Sequence, residues 1–401
     1  MNIKFSPPDI NEGDIQAVAE ALRSGWITTG PRTKNFEKKL AEYCGADRAV
    51  CLNSATACME LCLRFFGIGK GDEVITSAYT YTASASVIEH VGAKVVLVDT
   101  AKDSYEMDYK LLADAITEKT KAIIPVDIGG MPCDYDKIYA AVESKKALFT
   151  PNNDMQKALG RVLILADAAH SFGAMYKDKF TGAVGDFASF SFHAVKNLTT
   201  GEGGALVWKT INGIDDEIIY KNLMLLSLHG QSKDALAKTQ IGAWEYDIVA
   251  PYFKCNMTDI MAALGLSQLD RYDALLTRRK EIVDLYDKLL DGHGISVMPH
   301  QTKDKISSRH LYLTRVDGAE VATRNEIIKR MAEKGIACNV HYKPLPMHSA
   351  YIKMGFDISS YPNAYNQYKN EITLPLHTLL TNEEADYVAL SYIEAVKAQT
   401  K

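Results

Sequence analysis

Between residues 55 and 209 the chain alternates between two hydrophobic periods. Short, continuously apolar, β-rich runs fall at 73–76, 93–99, 122–126, 162–167, 187–192 and 205–209. Stretches of helical period fall at 55–66, 82–91, 109–118 and 135–144. Continuous apolar strands separated by helices predict a mostly parallel sheet covered on both faces. Ligands of such sheets gather at the carboxyl ends of the strands, so the residues just after each run carry the most weight.

From residue 258 the pattern changes. One long helical stretch over 258–290 is followed by predicted strands at 311–316 and 337–341 and a helix over 324–334. This predicts an α/β fold in two parts: a large unit over 1–259 and a small C-terminal α+β unit over 260–401. The polar segment 148–160 reads as a surface insertion. The sequence contains no internal repeat and no low-complexity tract.

Composition narrows the class. The chain has 401 residues, 47% of them hydrophobic and 24% charged, with a formal net charge of −5. A large core can form without disulfides, and a disordered or fibrous chain is excluded. The acidic balance argues against a nucleic-acid partner, which needs a basic stripe. Seven cysteines include no CxxC pair and no zinc spacing, which predicts free thiols in a reducing cytoplasm and no metal site. No apolar run approaches the ~20 residues of a membrane helix, and the first residues lack a signal peptide's apolar core. The expectation is a soluble, cytoplasmic enzyme.

The dinucleotide fingerprint GxGxxG, the GxSxG elbow and HExxH are all absent. Three other places stand out. Lys196 follows a β run and precedes the Gly-rich turn Gly201-Glu-Gly-Gly204. A lysine among apolar and aromatic neighbours loses proton affinity by desolvation and becomes an amine nucleophile, although an ordinary loop lysine looks the same. Asp167 ends the apolar run 162–167; it reads as a ligand carboxylate or as a helix N-cap. Ser54-Ala-Thr56 stands where a helical pattern begins, and is a phosphate site or simple capping. Together, a phosphate cradle, a strand-end carboxylate and an activated lysine are the three parts that pyridoxal 5'-phosphate requires.

At these residues the chain resembles the DegT/DnrJ/StrS family of sugar-nucleotide aminotransferases, pyridoxal-phosphate enzymes of the fold type I scaffold. The resemblance runs through Ser24-Gly-Trp-Ile-Thr-Thr-Gly-Pro31, Asn53-Ser-Ala-Thr-Ala57, Tyr79-Thr-Tyr-Thr82 and Pro125-Val-Asp-Ile-Gly-Gly-Met-Pro132. It continues in Asp167-Ala-Ala-His170, Ser191-Phe-His-Ala-Val-Lys-Asn197, Arg309-His-Leu-Tyr312 and His341-Tyr-Lys-Pro344. It implies that Lys196 binds the cofactor covalently and later shuttles a proton, and that Asp167 pairs with the pyridine nitrogen. It implies that Tyr81 stacks on one ring face, with His170 on the other side. Ala55, Thr56 and Ser191 would hold the phosphate. Thr29, His193 and His310 are candidates for substrate contact. His229, His341 and His377 read as structural or surface residues.

Two departures matter. The cradle reads Ser-Ala-Thr where Ser-Gly-Thr is common. The stretch Phe253-Lys-Cys-Asn256 replaces Tyr-Asn-Tyr-Arg, so either Lys254 or Asn256 would take the role of the asparagine that reaches the neighbouring subunit's phosphate. The resemblance is closest to the subgroup that aminates C4 of UDP-linked 4-keto sugars. It implies a homodimer that transfers an amino group from L-glutamate to a nucleotide-linked keto-sugar. A 3-keto-sugar aminotransferase, a dehydratase-type relative and a pyridoxal-phosphate-binding regulator without turnover are the alternatives.

Overall fold

A computed structural model describes residues 1–233 and 245–399. Its strands are β1 (Arg48–Leu52), β2 (Glu73–Ser77), β3 (Lys94–Val98), β4 (Thr120–Ile124), β5 (Leu163–Asp167), β6 (Met175–Tyr176), β7 (Lys179–Phe180), β8 (Phe187–Ser191), β9 (Gly204–Trp208), β10 (Ile295–Val297), β11 (Lys305–Ile306), β12 (Tyr312–Val316) and β13 (Glu371–Leu374). Seven of them form one sheet in the order β1-β9-β8-β5-β4-β2-β3. Only β9 runs against its neighbours β1 and β8; the pairs β8–β5, β5–β4, β4–β2 and β2–β3 are parallel.

Successive side chains of a strand point to opposite faces. Along β1, Ala49 and Cys51 enter one core with Phe36, Phe172 and Phe190, whereas Val50 and Leu52 enter another with Met59, Phe66 and Trp208. Both faces are therefore buried, which is why these strands read as unbroken apolar runs. The helices Ala55–Phe65, Ala83–His90 and Tyr135–Ser144 stand close to their expected positions. β1 and β13 are not among the runs that the periodicity picks out; they are only five and four residues long.

A third core joins helices Tyr272–Leu290, Val321–Glu333 and Asn382–Lys397 to the antiparallel sheet β10-β12-β13. Ile3 is part of it and bridges to Ile336. The expected single helix over 258–290 is two helices, Asp259–Asp270 and Tyr272–Leu290, broken at Arg271. The first packs on helices Glu12–Arg23 and Pro31–Cys44, the second on Asn382–Lys397. The break carries the chain from one core to the next, and Arg271 pins it through Asp9 (3.1 Å) and Asp14 (2.7 Å).

One local expectation fails: residues 337–341 form no strand, and Asn339 alone bridges to Thr373 of β13. The segment 148–160 lies at the surface as expected, with a short helix at Asp154–Leu159 capped by Asn153, and it is tied down by its one buried residue, Gln156, which donates to the Phe66 carbonyl (2.9 Å). All seven cysteines are free thiols. Among the described residues no helix is long and apolar enough to cross a membrane, and no cluster of side chains could hold a metal.

Candidate active site

The carboxyl edge of the large sheet opens into a cleft of 910 Å³. At one end lies the start of helix Ala55–Phe65. Ser54 caps it, accepting from the Ala57 N–H (3.1 Å). The first-turn N–H groups of Ala55 and Thr56 have no acceptor within the helix, and both residues line the cleft. Ser189 Oγ of β8 holds the helix start by donating to the Ala55 carbonyl (3.0 Å). Gly204, opening β9, lies directly against it. A Cβ there would stand 2.4 Å from Ala55 N and Ser54 C, so this approach requires glycine.

The floor is Asp167, the last residue of β5. It is 6% exposed, and its carboxylate accepts from Ser84 Oγ (2.6 Å) and the Ala169 N–H (3.2 Å). Burial raises its pKa above the usual carboxylate range, while Ser84, Ala169 and Lys196 oppose the shift. The backbone is clamped as well: Asp167 N–H donates to the Pro125 carbonyl (2.8 Å), and Asp127 N–H to the Asp167 carbonyl (3.2 Å).

Lys196 sits in the loop between the antiparallel neighbours β8 and β9. Phe192 N–H donates to the Gly203 carbonyl and Lys196 N–H to the His193 carbonyl, both at 2.9 Å. Desolvation lowers the Lys196 pKa to about 8, against the pull of Asp167. About a tenth of the amine is therefore uncharged at pH 7, far more than for an ordinary lysine.

His170 lies beside this pair. Its Nδ1 accepts from the Gly129 N–H (3.2 Å), which places the proton of the neutral ring on Nε2, facing Tyr342 Oη (3.1 Å). Burial and the Lys196 charge hold His170 well below the usual histidine range. His310 stands behind it with ring centroids 4.6 Å apart. Its Nδ1 faces Asn197 Oδ1 (3.0 Å), while Asn197 Nδ2 donates to the Ser308 carbonyl (2.8 Å). Oδ1 can only accept, so His310 Nδ1 is the donor.

The opposite wall comes from the C-terminal lobe. His341 and Tyr342 line the cleft. His341 N–H donates to Glu371 Oε2 (2.8 Å), and Thr373 Oγ1 bridges His341 Nδ1 (2.9 Å) and Glu371 Oε1 (2.5 Å). Burial lifts the Glu371 pKa to about 8, and Thr373, His341 and Arg324 oppose it. Burial and the Lys196 charge lower the His341 pKa to about 3. The mouth carries His193, Lys343 and His348.

Of the expected site residues, Ala55, Thr56, Tyr81, Asp167, His170, Ser191, His193 and Lys196 all line this one cleft. Tyr81 stands at the lip, 60% exposed, its ring centroid 5.9 Å from that of Tyr342. His310 is buried behind His170 and is absent from the cleft surface. Thr29, Lys254 and Asn256 form a separate cluster. Asn256 Nδ2 donates to Thr29 Oγ1 (2.6 Å), and Lys254 Nζ contacts Asn256 Oδ1. None of the three lines the cleft of its own chain. His377 is structural, its Nε2 3.1 Å from the Lys4 carbonyl. Ser84, Tyr342 and the Glu371–Thr373–His341 chain escaped sequence reading. Ser84 sits two residues past the Tyr79-Thr-Tyr-Thr82 motif, and that adjacency was the only available signal.

The residues fit pyridoxal phosphate. Helix N–H groups and a close-approach glycine make a cradle that a Cβ would fill. A buried carboxylate stands where a protonated ring nitrogen needs a partner, and a desolvated amine completes the set. Fold and site define a pyridoxal-phosphate-dependent aminotransferase of fold type I. Over residues 8–392 the chain matches the DegT/DnrJ/EryC1/StrS aminotransferase family, and it belongs to that family. It is 38% identical over 399 residues to the spore coat polysaccharide biosynthesis protein SpsC of Bacillus subtilis, covering 98% of this chain and 96% of SpsC. Its structure resembles that of Spr1654 from Streptococcus pneumoniae, a proposed sugar aminotransferase solved in its PMP form. The TM-score is 0.97 at 57% identity, over 99% of this chain and 100% of that one. PseC of Helicobacter pylori, an aminotransferase involved in the biosynthesis of pseudoaminic acid, superposes with a TM-score of 0.87 at 28% identity, over 99% and 100% of the two chains.

Proposed function

We propose that the enzyme transfers an amino group from L-glutamate to a nucleotide-linked keto-sugar, at C4 of a UDP-linked 4-keto sugar. The observation that carries this reading is the placement of Lys196: a desolvated amine opposite Asp167, at the floor of a cleft whose mouth carries His193, Lys343 and His348. The floor suits amino transfer. The mouth offers donors and positive charge to the diphosphate of a sugar nucleotide. The names of Spr1654 and SpsC, a sugar aminotransferase and a polysaccharide biosynthesis protein, support a sugar acceptor.

Bound pyridoxal phosphate supplies an electron sink for the carbanion formed when the amino-acid carbon loses its proton. The chain supplies the rest. Ala55, Thr56 and Ser191 hold the phosphate. Asp167 keeps the ring nitrogen protonated, and Ser84 fixes that carboxylate. Lys196 anchors the cofactor and then carries the proton at its Nζ. Tyr81 and His170 bracket the ring, with Tyr342 orienting His170. Thr29, Lys254 and Asn256 serve the site of a second subunit in a homodimer; exposed Ile248, Val249, Tyr252 and Phe253 offer apolar surface beside them. The free thiols fit a reducing cytoplasm.

Retention of lysine at 196 favours transamination over dehydration. The test is incubation with L-glutamate and a panel of UDP-, dTDP- and GDP-linked 3- and 4-keto sugars, with products read by mass spectrometry. An amino sugar formed at C4 of a UDP substrate supports the proposal. Amination at C3 or loss of water moves the assignment to those chemistries, and no turnover with any donor points to a regulator.

A further inference from the structure

Glu371 of β13 is sealed from water, 0% exposed, and among the described residues no cation lies within ion-pair reach of its carboxyl group. The Arg324 guanidinium donates instead to the Glu371 carbonyl (3.3 Å) and the Tyr368 carbonyl (3.1 Å). Arg315, the cross-strand neighbour, is taken by Asn370 (3.0 Å) and Asp103 (3.5 Å). Tyr79, Tyr105, Tyr342, Tyr392 and Cys338 also face Glu371. Burial, with the Glu371 charge adding to it, raises the pKa of each, so all five are neutral. An unpaired carboxylate in such a place binds a proton instead of holding its charge. Its pKa, pushed up to about 8 by burial, agrees.

That proton sets the direction of a hydrogen-bond chain. Glu371 Oε2 accepts from the His341 N–H (2.8 Å), and the acid proton on Oε1 has Thr373 Oγ1 as its acceptor (2.5 Å). Thr373 has one hydrogen of its own, which then goes to His341 Nδ1 (2.9 Å). Burial and the Lys196 charge keep the His341 ring neutral. A neutral ring that accepts at Nδ1 carries its hydrogen at Nε2. With Glu371 ionised every bond turns round. Thr373 donates to Oε1 and accepts from Nδ1–H, which leaves a lone pair at Nε2. Among the described residues nothing bonds Nε2, and it is not sealed from solvent, so on a residue that lines the cleft it is the free edge of the ring. We propose that Glu371 is a positioning residue for the reaction: it stores a proton that, relayed through Thr373, makes His341 present Nε2–H to a substrate oxygen.

Both substrates of amino transfer offer such an oxygen, the donor in its carboxylate and the keto-sugar in its carbonyl. An N–H attracts either one, and a nitrogen lone pair repels it. The substrate role rests on the transamination proposed above. The tautomer of His341 does not, because it follows from the buried chain alone.

The test is magnetic resonance of the holoenzyme labelled with carbon-13 histidine. The His341 Cδ2 signal, identified by its loss in His341→Gln, separates the two neutral tautomers. The wild type is expected in the Nε2–H form at pH 7 and in the Nδ1–H form by about pH 9.5. Glu371→Gln, whose amide donates to Thr373 as the acid does, keeps the Nε2–H form at both values. Thr373→Val severs the relay and abolishes the switch. Over the same interval KM for glutamate or for the keto-sugar should rise about fivefold more in the wild type than in Glu371→Gln, the loss of one hydrogen bond. Lys196 titrates alike in both proteins, and the KM that rises names the oxygen. A wild type in the Nδ1–H form at pH 7, or one that does not switch by about pH 9.5, overturns the proposal. So does a switch that persists in Glu371→Gln, and so does an equal KM response in the two proteins. Absence of turnover fails the transamination reading, and the tautomers still decide the relay.

Discussion

The floor and the wall of the cleft are built in different ways. The floor comes from one sheet: Asp167 ends β5, Lys196 follows β8, and Gly204 opens β9 beside the helix at Ala55. Each residue is placed by the strand it adjoins. The wall, with His341 and Tyr342, comes from the C-terminal lobe. Its side chains are held by hydrogen bonds to partners distant in sequence, such as Tyr342 to His170 and Tyr79 Oη to the His341 carbonyl (2.8 Å). Chemistry sits where placement depends on fewest contacts. The wall that faces it depends on the packing of two lobes.

If the contrast is sound, substitutions at the floor cost far more than substitutions at the wall. Lys196→Ala should lower transamination by about 10³-fold or more while cofactor still binds noncovalently; a steady-state assay with absorbance spectra checks both. Borohydride reduction of the wild type should label Lys196, and label elsewhere would sink the assignment. Asp167→Asn should cost about 10²–10³-fold in rate, because the ring nitrogen loses its charged partner; an unchanged rate would reduce Asp167 to a cap. Gly204→Ala should destabilise the fold by about 1–3 kcal/mol in denaturant titration and weaken cofactor retention, since the new methyl meets Ala55 N and Ser54 C.

The Lys196 ammonium also bears on stability, with a definite sign. Its pKa is about 8 in the fold, against about 10.4 for an unfolded lysine. The folded chain therefore binds this proton less tightly. The penalty is fully present below pH 8 and disappears as pH rises to about 10.4. Lys196→Met should stabilise the cofactor-free protein by up to about 3 kcal/mol at pH 7, and most of the gain should be gone by pH 10.5 in thermal melts. At the wall, His341→Ala should reduce the rate about tenfold or less. A loss as large as that of Asp167→Asn would erase the distinction between floor and wall.

The same contrast decides what could be read in advance. Asp167, Lys196 and the Ser54–Thr56 cradle were visible because each adjoins a recognisable strand or helix start and chemistry needs them in that order. Ser84 was invisible because its role comes from facing Asp167 across 83 residues of sequence. His341 was read as structural although it opens the motif His341-Tyr-Lys-Pro344; its place on the cleft wall comes from Glu371 and Thr373, 30 and 32 residues away in sequence. His310 stood in a family motif, yet its side chain turns into the layer behind His170, where its Nδ1–H donates to Asn197 Oδ1. Thr29 and Asn256 were expected separately and lie hydrogen-bonded together, a pairing that only the crossing of distant loops creates.

The direction of β9 has one further consequence, for engineering. Because β9 turns back beside β8, the chain from Phe192 to Gly203 is a short span anchored at both ends, through Phe192 N–H to the Gly203 carbonyl and Thr200 N–H to the Phe192 carbonyl. One residue added there would displace the amine by up to about 3.5 Å, more than a hydrogen bond's length of tolerance. The same residue added near 150, at the opposite edge of the sheet, would move nothing in the cleft. A graft or library that lengthens loops in this enzyme has latitude at the amino edge and none in the turn that carries the lysine.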